Sequence, residues 1–246
     1  MKTFLNGVHS VQSALEHDAS NVTQLWVAEN KRNPRIDKLL ARAEKLNLKV
    51  ESTTTSALDR LTGSRQHQGI VAEYEAKELA SENDLFDMVT SASKPLLLLI
   101  LDGVTDPHNL GACLRTAEGA GVDAVIAPKD KAASLTPTAR KVASGAAETM
   151  PFVRVTNLAR TMQLLKESGV WITGTSDKTD QELYNADFKG ATAIVMGAED
   201  KGLRRLTEEA CDHLISIPMM GSVSSLNVSV ATGVVLYEAV RQRTAS

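Results

Sequence analysis

The sequence predicts an α/β protein in two parts, a small mixed domain over residues 1–75 and a larger parallel-sheet domain over 95–246. Three observations carry this. Residues 96–101 form an unbroken apolar run, and strands buried on both faces of a parallel sheet read that way. From there on, short apolar runs alternate with stretches of helical period, the pattern of strand–helix–strand crossovers. The chain is 43% hydrophobic, 23% charged and only 4% aromatic, so Leu, Ile, Val and Ala must build globular cores.

In the first part, residues 25–28 read as a strand. Ile36, Leu39, Leu40, Ala43 and Leu46 fall at helical spacing and predict a helix over 35–46. Strand 50–53, a short helix 56–61 and strand 69–74 complete the unit. Residues 76–84 turn polar and acidic, and 91–95 are small and end in Pro95. A linker over 76–94 is expected, with a short helix at 84–90. The second part then reads as strand 96–101, helix 110–120, strand 124–127, helix 138–147, strand 152–155 and helix 158–168. Strands 170–174 and 193–196, helix 203–210, strand 214–217 and a closing helix over 226–241 follow.

The bulk numbers exclude several classes. A net charge of −3 shows no overall basic footprint of a nucleic-acid binder, though a local patch fits inside that total. Cys113 and Cys211 have no metal-like spacing and read as free thiols in a reducing compartment. Residues 1–7 lack the apolar run of a secretory signal, and no apolar run is long enough to span a bilayer. A cytoplasmic protein without membrane contact is expected. No G-x-G-x-x-G, no G-x-x-x-x-G-K-[ST] and no G-x-S-x-G is present, nor any zinc spacing. A nicotinamide dehydrogenase is disfavoured, and no metal is expected.

Ligands of parallel α/β sheets bind beyond the carboxyl ends of the strands. That rule singles out three turns, at 102–115, 197–202 and 218–227. In the first, Asn109 is suited to cap the helix that follows, and Gly111 and Arg115 share a helical face, Gly111 leaving open space beside Arg115. A capped helix with a solvated Arg explains these residues by themselves; a helix N-terminus plus an Arg is also an anion site. Asp102, Asp106 and His108 are further candidates, although a His in a turn is more often structural or solvated. In the second turn, Gly197 allows close backbone approach. Glu199 stands where a carboxylate can accept hydrogen bonds or act as a base, or simply begin an acidic helix. The third is uncharged throughout residues 215–231. One cap explains one polar residue, not Ser222, Ser224, Ser225, Asn227 and Ser229 together. The excess suits a neutral or zwitterionic ligand.

Taken together, three segments resemble the motifs of the SpoU (TrmH) family of RNA ribose 2′-O-methyltransferases. They are Asn109-Leu110-Gly111-Ala112-Cys113-Leu114-Arg115, then Val195-Met196-Gly197-Ala198-Glu199-Asp200-Lys201-Gly202-Leu203, then residues 217–231 from Ile217-Pro218-Met219 to Ser229-Val230-Ala231. The likeness extends along the whole chain. It implies a SPOUT-type domain whose C-terminal segment is tied in a deep trefoil knot, an exception to unknotted topology. It implies a homodimer, and a preceding domain like some ribosomal proteins. It implies S-adenosyl-L-methionine as cofactor and S-adenosylhomocysteine as product, with cofactor contacts at Gly197, Ile217, Met219 and Leu226. The catalytic set falls at Asn109, Arg115, Glu199, Ser225 and Asn227. Guanidinium keeps its proton, so Arg115 is expected to bind phosphate and steady a developing alkoxide rather than act as base. Glu199 is expected to hold Arg115 or relay the proton. The implied reaction is 2′-O-methylation of a guanosine ribose in 23S ribosomal RNA. A transfer-RNA guanosine 2′-O-methyltransferase and a non-catalytic RNA-binding protein on the same scaffold are the alternatives.

In the first part, ten basic side chains face nine acidic ones over residues 1–75. Arg32, Arg35, Arg65 and His67 are the expected RNA contacts, with His9 and Lys31 as further candidates. Surface cations are usually just solvated. RNA is read through shape, loops and the 2′-hydroxyl, so a modest patch suffices.

Overall fold

The structure is a computed structural model that describes residues 2–17, 19–29, 33–75, 80–199 and 201–244. The chain divides into two compact units, Met1–Glu78 and Leu79–Ser246.

The first unit runs β1 (Lys2–Asn6), α1 (Val8–His17), β2 (Val22–Ala28), α2 (Pro34–Lys45), β3 (Lys49–Thr53), α3 (Thr55–Thr62) and β4 (Ile70–Glu75). Its sheet has the order β1-β4-β2-β3; β2 and β3 are parallel, and β4 is antiparallel to both its neighbours. Helices α1 and α2 cover one face with Val11, Leu15, Ile36, Leu39 and Ala43 around Leu25 and Tyr74. Leu58 of α3 covers the other face against Ala28 and Val71. Asn33 caps α2, ahead of Pro34 at its first position. Strand β1 and helix α1 are absent from the sequence expectation. Val8, Val11, Ala14 and Leu15 of α1 are helically spaced but span only two turns, and β1 offers only Phe4 and Leu5 as apolar signal.

The second unit begins with α4 (Glu82–Ser91), opened by a capping box between Ser81 and Asp84. Leu85 and Val89 of α4 are buried in this unit's core, so part of the stretch expected as linker is a core helix. The chain continues as β5 (Leu97–Asp102), α5 (Pro107–Gly119), β6 (Ala124–Pro128), α6 (Pro137–Ala143), α7 (Ala146–Thr149), β7 (Phe152–Val155) and α8 (Leu158–Glu167). It closes with β8 (Trp171–Thr175), β9 (Thr192–Gly197), α9 (Arg205–Ala210), β10 (His213–Ile215) and α10 (Val228–Thr244). The six-stranded sheet has the order β10-β8-β9-β5-β6-β7, parallel throughout. Strand β5 shows why its sequence is unbroken. Leu97, Leu99 and Leu101 enter the core under α5 and α10, while Leu98 and Ile100 enter the core under α4 and α8. Both faces are dry, and there is no polar side for alternation to mark.

Local differences from the sequence reading have specific causes. The single helix expected over 138–147 is split, because Ser144 (φ +53°) and Gly145 (φ +99°) take left-handed conformations. Helix α5 begins at Pro107, and its cap is Asp106, whose Oδ1 accepts the His108 N–H at 3.0 Å. Asn109 therefore lies inside the first turn, with its amide free for another role. Helix α10 is stitched at its end: Gln242 Oε1 accepts the Phe188 N–H, and Arg243 donates to the carbonyls of Leu96 and Phe188. On the same helix, hydrogen bonds from Arg241 and Gln242 hold the Glu238 carboxyl down to about 2.

Candidate active site

Strands β10, β8 and β9 are neighbours, so their carboxyl ends open onto one place. A cavity of about 440 Å³ lies there, within the roughly 300–1,000 Å³ of small-molecule sites. Its wall comes from residues 175–178 after β8, 196–199 and 201–203 after β9, 215–217 and Met219 after β10, and 224–226 before α10. Gly197, Ile217, Met219 and Leu226 all line it, as do Glu199 and Ser225. The segment 175–178 is not among the three turns singled out by sequence. The rule that points to the other strand ends applies equally to β8, and Thr175-Ser176-Asp177-Lys178 is the signal it offers. The pocket is also not uncharged as a whole. Apolar Met196, Ile215, Ile217, Met219 and Leu226 are joined by Asp177, Lys178, Lys201 and Glu208. The charge comes from the turns after β8 and β9 and from α9, not from the tract after β10.

At the rim three side chains close a triangle. Asn109 Nδ2 donates to Glu199 Oε1 at 3.0 Å. Asn227 Nδ2 donates to Asn109 Oδ1 at 3.1 Å and also to Glu199 Oε1. Asn227 is itself fixed, because its Oδ1 accepts the Ser229 N–H at 3.0 Å and the Ser229 hydroxyl at 2.6 Å. It thus caps α10 through its oxygen and binds the triangle through its nitrogen. The amides come from the starts of α5 and α10, and the carboxylate from the turn after β9. Two N–H donors on one oxygen leave Glu199 Oε2 open to a ligand among the described residues.

Arg115 does not join. It is exposed and six residues from Asn109, which places it about 120° away around α5. Within the chain Glu199 is held by asparagines and not by Arg115, the first of its two expected roles. Gly111 corrects a second expectation. A Cβ there would come within 2.5 Å of Ala139 O and 2.7 Å of Val142 Cβ, so Gly111 is the contact between α5 and α6 rather than open space beside Arg115. Gly197 likewise admits the chain itself: a Cβ would meet Gly202 C at 2.2 Å. Asp102 is fully buried, and His108 is exposed with its ring outside the triangle.

In the first unit, Arg35, Arg65 and His9 are exposed. His67 is 1% exposed. Its Nδ1 accepts the Gly69 N–H at 3.0 Å, and Nε2 lies 3.2 Å from Asp59 Oδ1, so the ring is spent inside the unit and is not presented to RNA. Lys31, Arg32 and, in the second motif, Asp200 lie outside the described residues. Burial pushes the Cys113 thiol up to about 11 and that of Cys211 to about 12, so neither is a ready nucleophile. Among the described residues, no group of three His, Cys, Asp or Glu side chains is placed to hold a metal, and no helix is long and apolar enough to cross a membrane.

A parallel α/β unit with a strand-end pocket and an Asn–Glu–Asn cluster at its rim is the architecture of a small-cofactor enzyme. Residues 96–237 match the SpoU rRNA Methylase family, and residues 4–80 match the RNA 2′-O ribose methyltransferase substrate binding family. The chain belongs to the SpoU rRNA methylase family. It is 54% identical over 237 residues to the 23S rRNA (guanosine-2′-O-)-methyltransferase RlmB of Shewanella oneidensis, covering 96% of each chain. It is 51% identical over 243 residues to the RlmB of Escherichia coli, covering 99% of this chain and 100% of that one. Among solved structures it is similar to the SpoU methyltransferase AviRb of Streptomyces viridochromogenes in complex with AdoMet. There the TM-score is 0.77 at 25% identity, covering 100% of this chain and 92% of that one.

Proposed function

We propose that this chain transfers a methyl group from S-adenosyl-L-methionine to the 2′-oxygen of a guanosine ribose in 23S ribosomal RNA, leaving S-adenosylhomocysteine. The observation that carries this is the cavity at the ends of β8, β9 and β10 with the Asn109–Glu199–Asn227 triangle at its rim. The relatives named for that reaction, half-identical over nearly the full chain, support it.

The residues fit the cofactor. Apolar side chains and exposed backbone around Gly197, Ile217, Met219 and Leu226 suit an adenosyl group. Asp177, Glu199 and Glu208 outnumber Lys178 and Lys201 in the same wall, a balance that suits a cation. When bound, the cofactor supplies a sulfonium-activated methyl group. The protein has to orient the ribose hydroxyl and help its proton leave. Glu199 Oε2 accepts that hydroxyl, while Asn109 and Asn227 fix the carboxylate. Ser225 stands in the pocket wall beside Leu226 and bounds the hydroxyl site. Arg115, whose charge is free among the described residues, binds the adjacent phosphate and steadies negative charge on the 2′-oxygen.

The same reading makes the protein a cytoplasmic homodimer in which Arg115 serves the site of the second copy. It gives residues 1–75 to RNA, 95–246 to methyl transfer, and the C-terminal segment to a trefoil knot.

Two measurements test the function. Calorimetry is expected to show S-adenosylmethionine binding that is lost on filling the cavity with a larger side chain at Ile217. Mapping of ribose methylation after deletion of the gene is expected to lose one guanosine methyl from 23S RNA. An intact 23S pattern, or a missing methyl in transfer RNA instead, overturns the assignment.

A further inference from the structure

The turn that presents Glu199 is held from outside itself. Ala198 N–H donates to Gly202 O at 3.0 Å, and Gly202 N–H to Ala198 O at 2.9 Å. Those two bonds close a turn that carries Glu199 and Lys201 and rests on Gly197. Arg204 then leaves the turn and meets Asp102. Asp102 is the last residue of β5 and is partnered with Gly197 in the β5–β9 register. Its Oδ2 accepts the Arg204 N–H at 2.8 Å. Its Oδ1 is buried without a hydrogen-bond partner among the described residues and lies 3.5 Å from Arg204 Nε. Arg204 Nη2 donates to Lys131 O at 3.2 Å. The guanidinium lies over Gly103, where φ is +83° and a Cβ would sit 3.3 Å from Nη2.

A buried carboxylate is strongly unfavourable unless it is paired and hydrogen-bonded. The fold keeps one at a strand end whose neighbours, Leu101 and Val104, are apolar core residues. Capping α5 does not explain it, because Asp106 is that cap. Pocket lining does not explain it either, because Asp102 is not in the wall. Its hydrogen bond and its ion pair both go to Arg204. Arg204 is the exit of the turn that carries Glu199 and that supplies Gly202 and Leu203 to the cavity.

We propose that Asp102 and Arg204 are positioning residues for methyl transfer: their ion pair latches the return limb of the 198–204 turn to β5, and so holds Glu199 against Asn109 and Asn227. This rests on the reading of Glu199 given above. The latch has no contact with the reacting atoms and acts only through the turn. Gly103 faces the guanidinium, and a Cβ there would press on Nη2 at 3.3 Å.

The test uses the full chain with Arg204→Ala, Arg204→Lys and Asp102→Asn. Backbone hydrogen exchange across 198–204 is read alongside kcat and the KM for RNA. Arg204→Ala is expected to speed exchange at Ala198 and Gly202. It is expected to lower kcat on the order of a hundredfold, the scale of a misplaced catalytic group, with the KM for RNA near the wild-type value. Arg204→Lys, which keeps a cation at Asp102, recovers part of kcat. Asp102→Asn adds little to Arg204→Ala, because a coupled pair is not additive. In a Glu199→Gln background, Arg204→Ala has little further effect on kcat. Wild-type exchange over 198–204 in Arg204→Ala overturns the latch. Wild-type kcat in that variant, or a full extra loss in the Glu199→Gln background, overturns its action through Glu199. If Arg204→Ala does not fold, Arg204→Lys and Asp102→Asn carry the same readouts. If the wild-type chain methylates no RNA, the function reading has failed, and exchange alone decides the latch.

Discussion

The two units use their polar side chains in opposite ways. In the C-terminal unit the candidate residues bind one another across great sequence distances, Asn109 to Glu199 over 90 positions and Asn227 to Asn109 over 118. In the N-terminal unit the candidate arginines Arg35 and Arg65 stand exposed, and the one described candidate with a network, His67, is buried in it. The difference fits the two tasks proposed for the units. Methyl transfer needs groups fixed before substrate arrives. Phosphate contact needs only charge and reach, and unpaired cations on mobile stems supply both.

The largest effect should come from the centre of the interlocked set. Glu199→Ala is expected to lower the single-turnover methylation rate about 10²–10⁴-fold, the usual worth of a general acid–base group, while leaving RNA affinity in place. Rapid-quench methylation and filter binding measure the two separately. A variant that methylates at the wild-type rate would break the comparison at its strongest point, because the triangle would then be structure without chemistry.

Asn227 sharpens it, since one residue does both jobs. Its oxygen caps α10 and its nitrogen binds Glu199 and Asn109. Asn227→Ser keeps a capping hydroxyl and loses the amide donors; it should unfold near the wild-type temperature yet transfer methyl slowly. Asn227→Ala loses both and should be less stable by about 1 kcal/mol more. Thermal unfolding and the methylation rate, read on the same samples, separate cap from catalysis. A Ser variant as active as the wild type would leave Asn227 as a cap alone.

How much of this is legible in the sequence depends on range. The run at 96–101 is local, and it announces a strand dry on both faces and hence a parallel sheet. The sheet in turn points to strand ends, and three turns with suitable residues stand there. What is not local stays hidden. Asn109 looks like a helix cap until Asp106 is seen to hold that place, and only then is its amide available to Glu199. Gly111 looks like space until α6 is seen to fill it. His67 has the residue type of an RNA contact, but its burial depends on Asp59 and the turn to Gly69. Residues 82–91 read as part of a linker because their polar positions outnumber Leu85 and Val89, and only the core shows where those two go. The turn after β8 escapes notice because Thr, Ser, Asp and Lys look like any solvated loop until β8 is placed between β9 and β10.

The smallest effects lie in the N-terminal unit, and there the two kinds of residue should part. His67→Ala leaves the buried Gly69 N–H without its acceptor, a loss of about 1–3 kcal/mol. It should lower the unfolding midpoint of that unit and leave RNA affinity unchanged wherever the unit is folded. Arg35→Ala and Arg65→Ala should do the reverse. Stability should stay within about 0.5 kcal/mol, and removing one phosphate-binding cation should reduce the slope of log affinity against log salt by about 1. Titrations at several salt concentrations measure this directly. If His67→Ala weakens RNA binding and the arginine variants do not, then in this unit the buried network carries recognition, and the contrast between the units disappears. If the arginines alone move the slope, the unit is a charged surface on a stable frame. In that case its RNA-binding residues are hidden in the sequence for a physical reason: nothing within the free protein holds them in place.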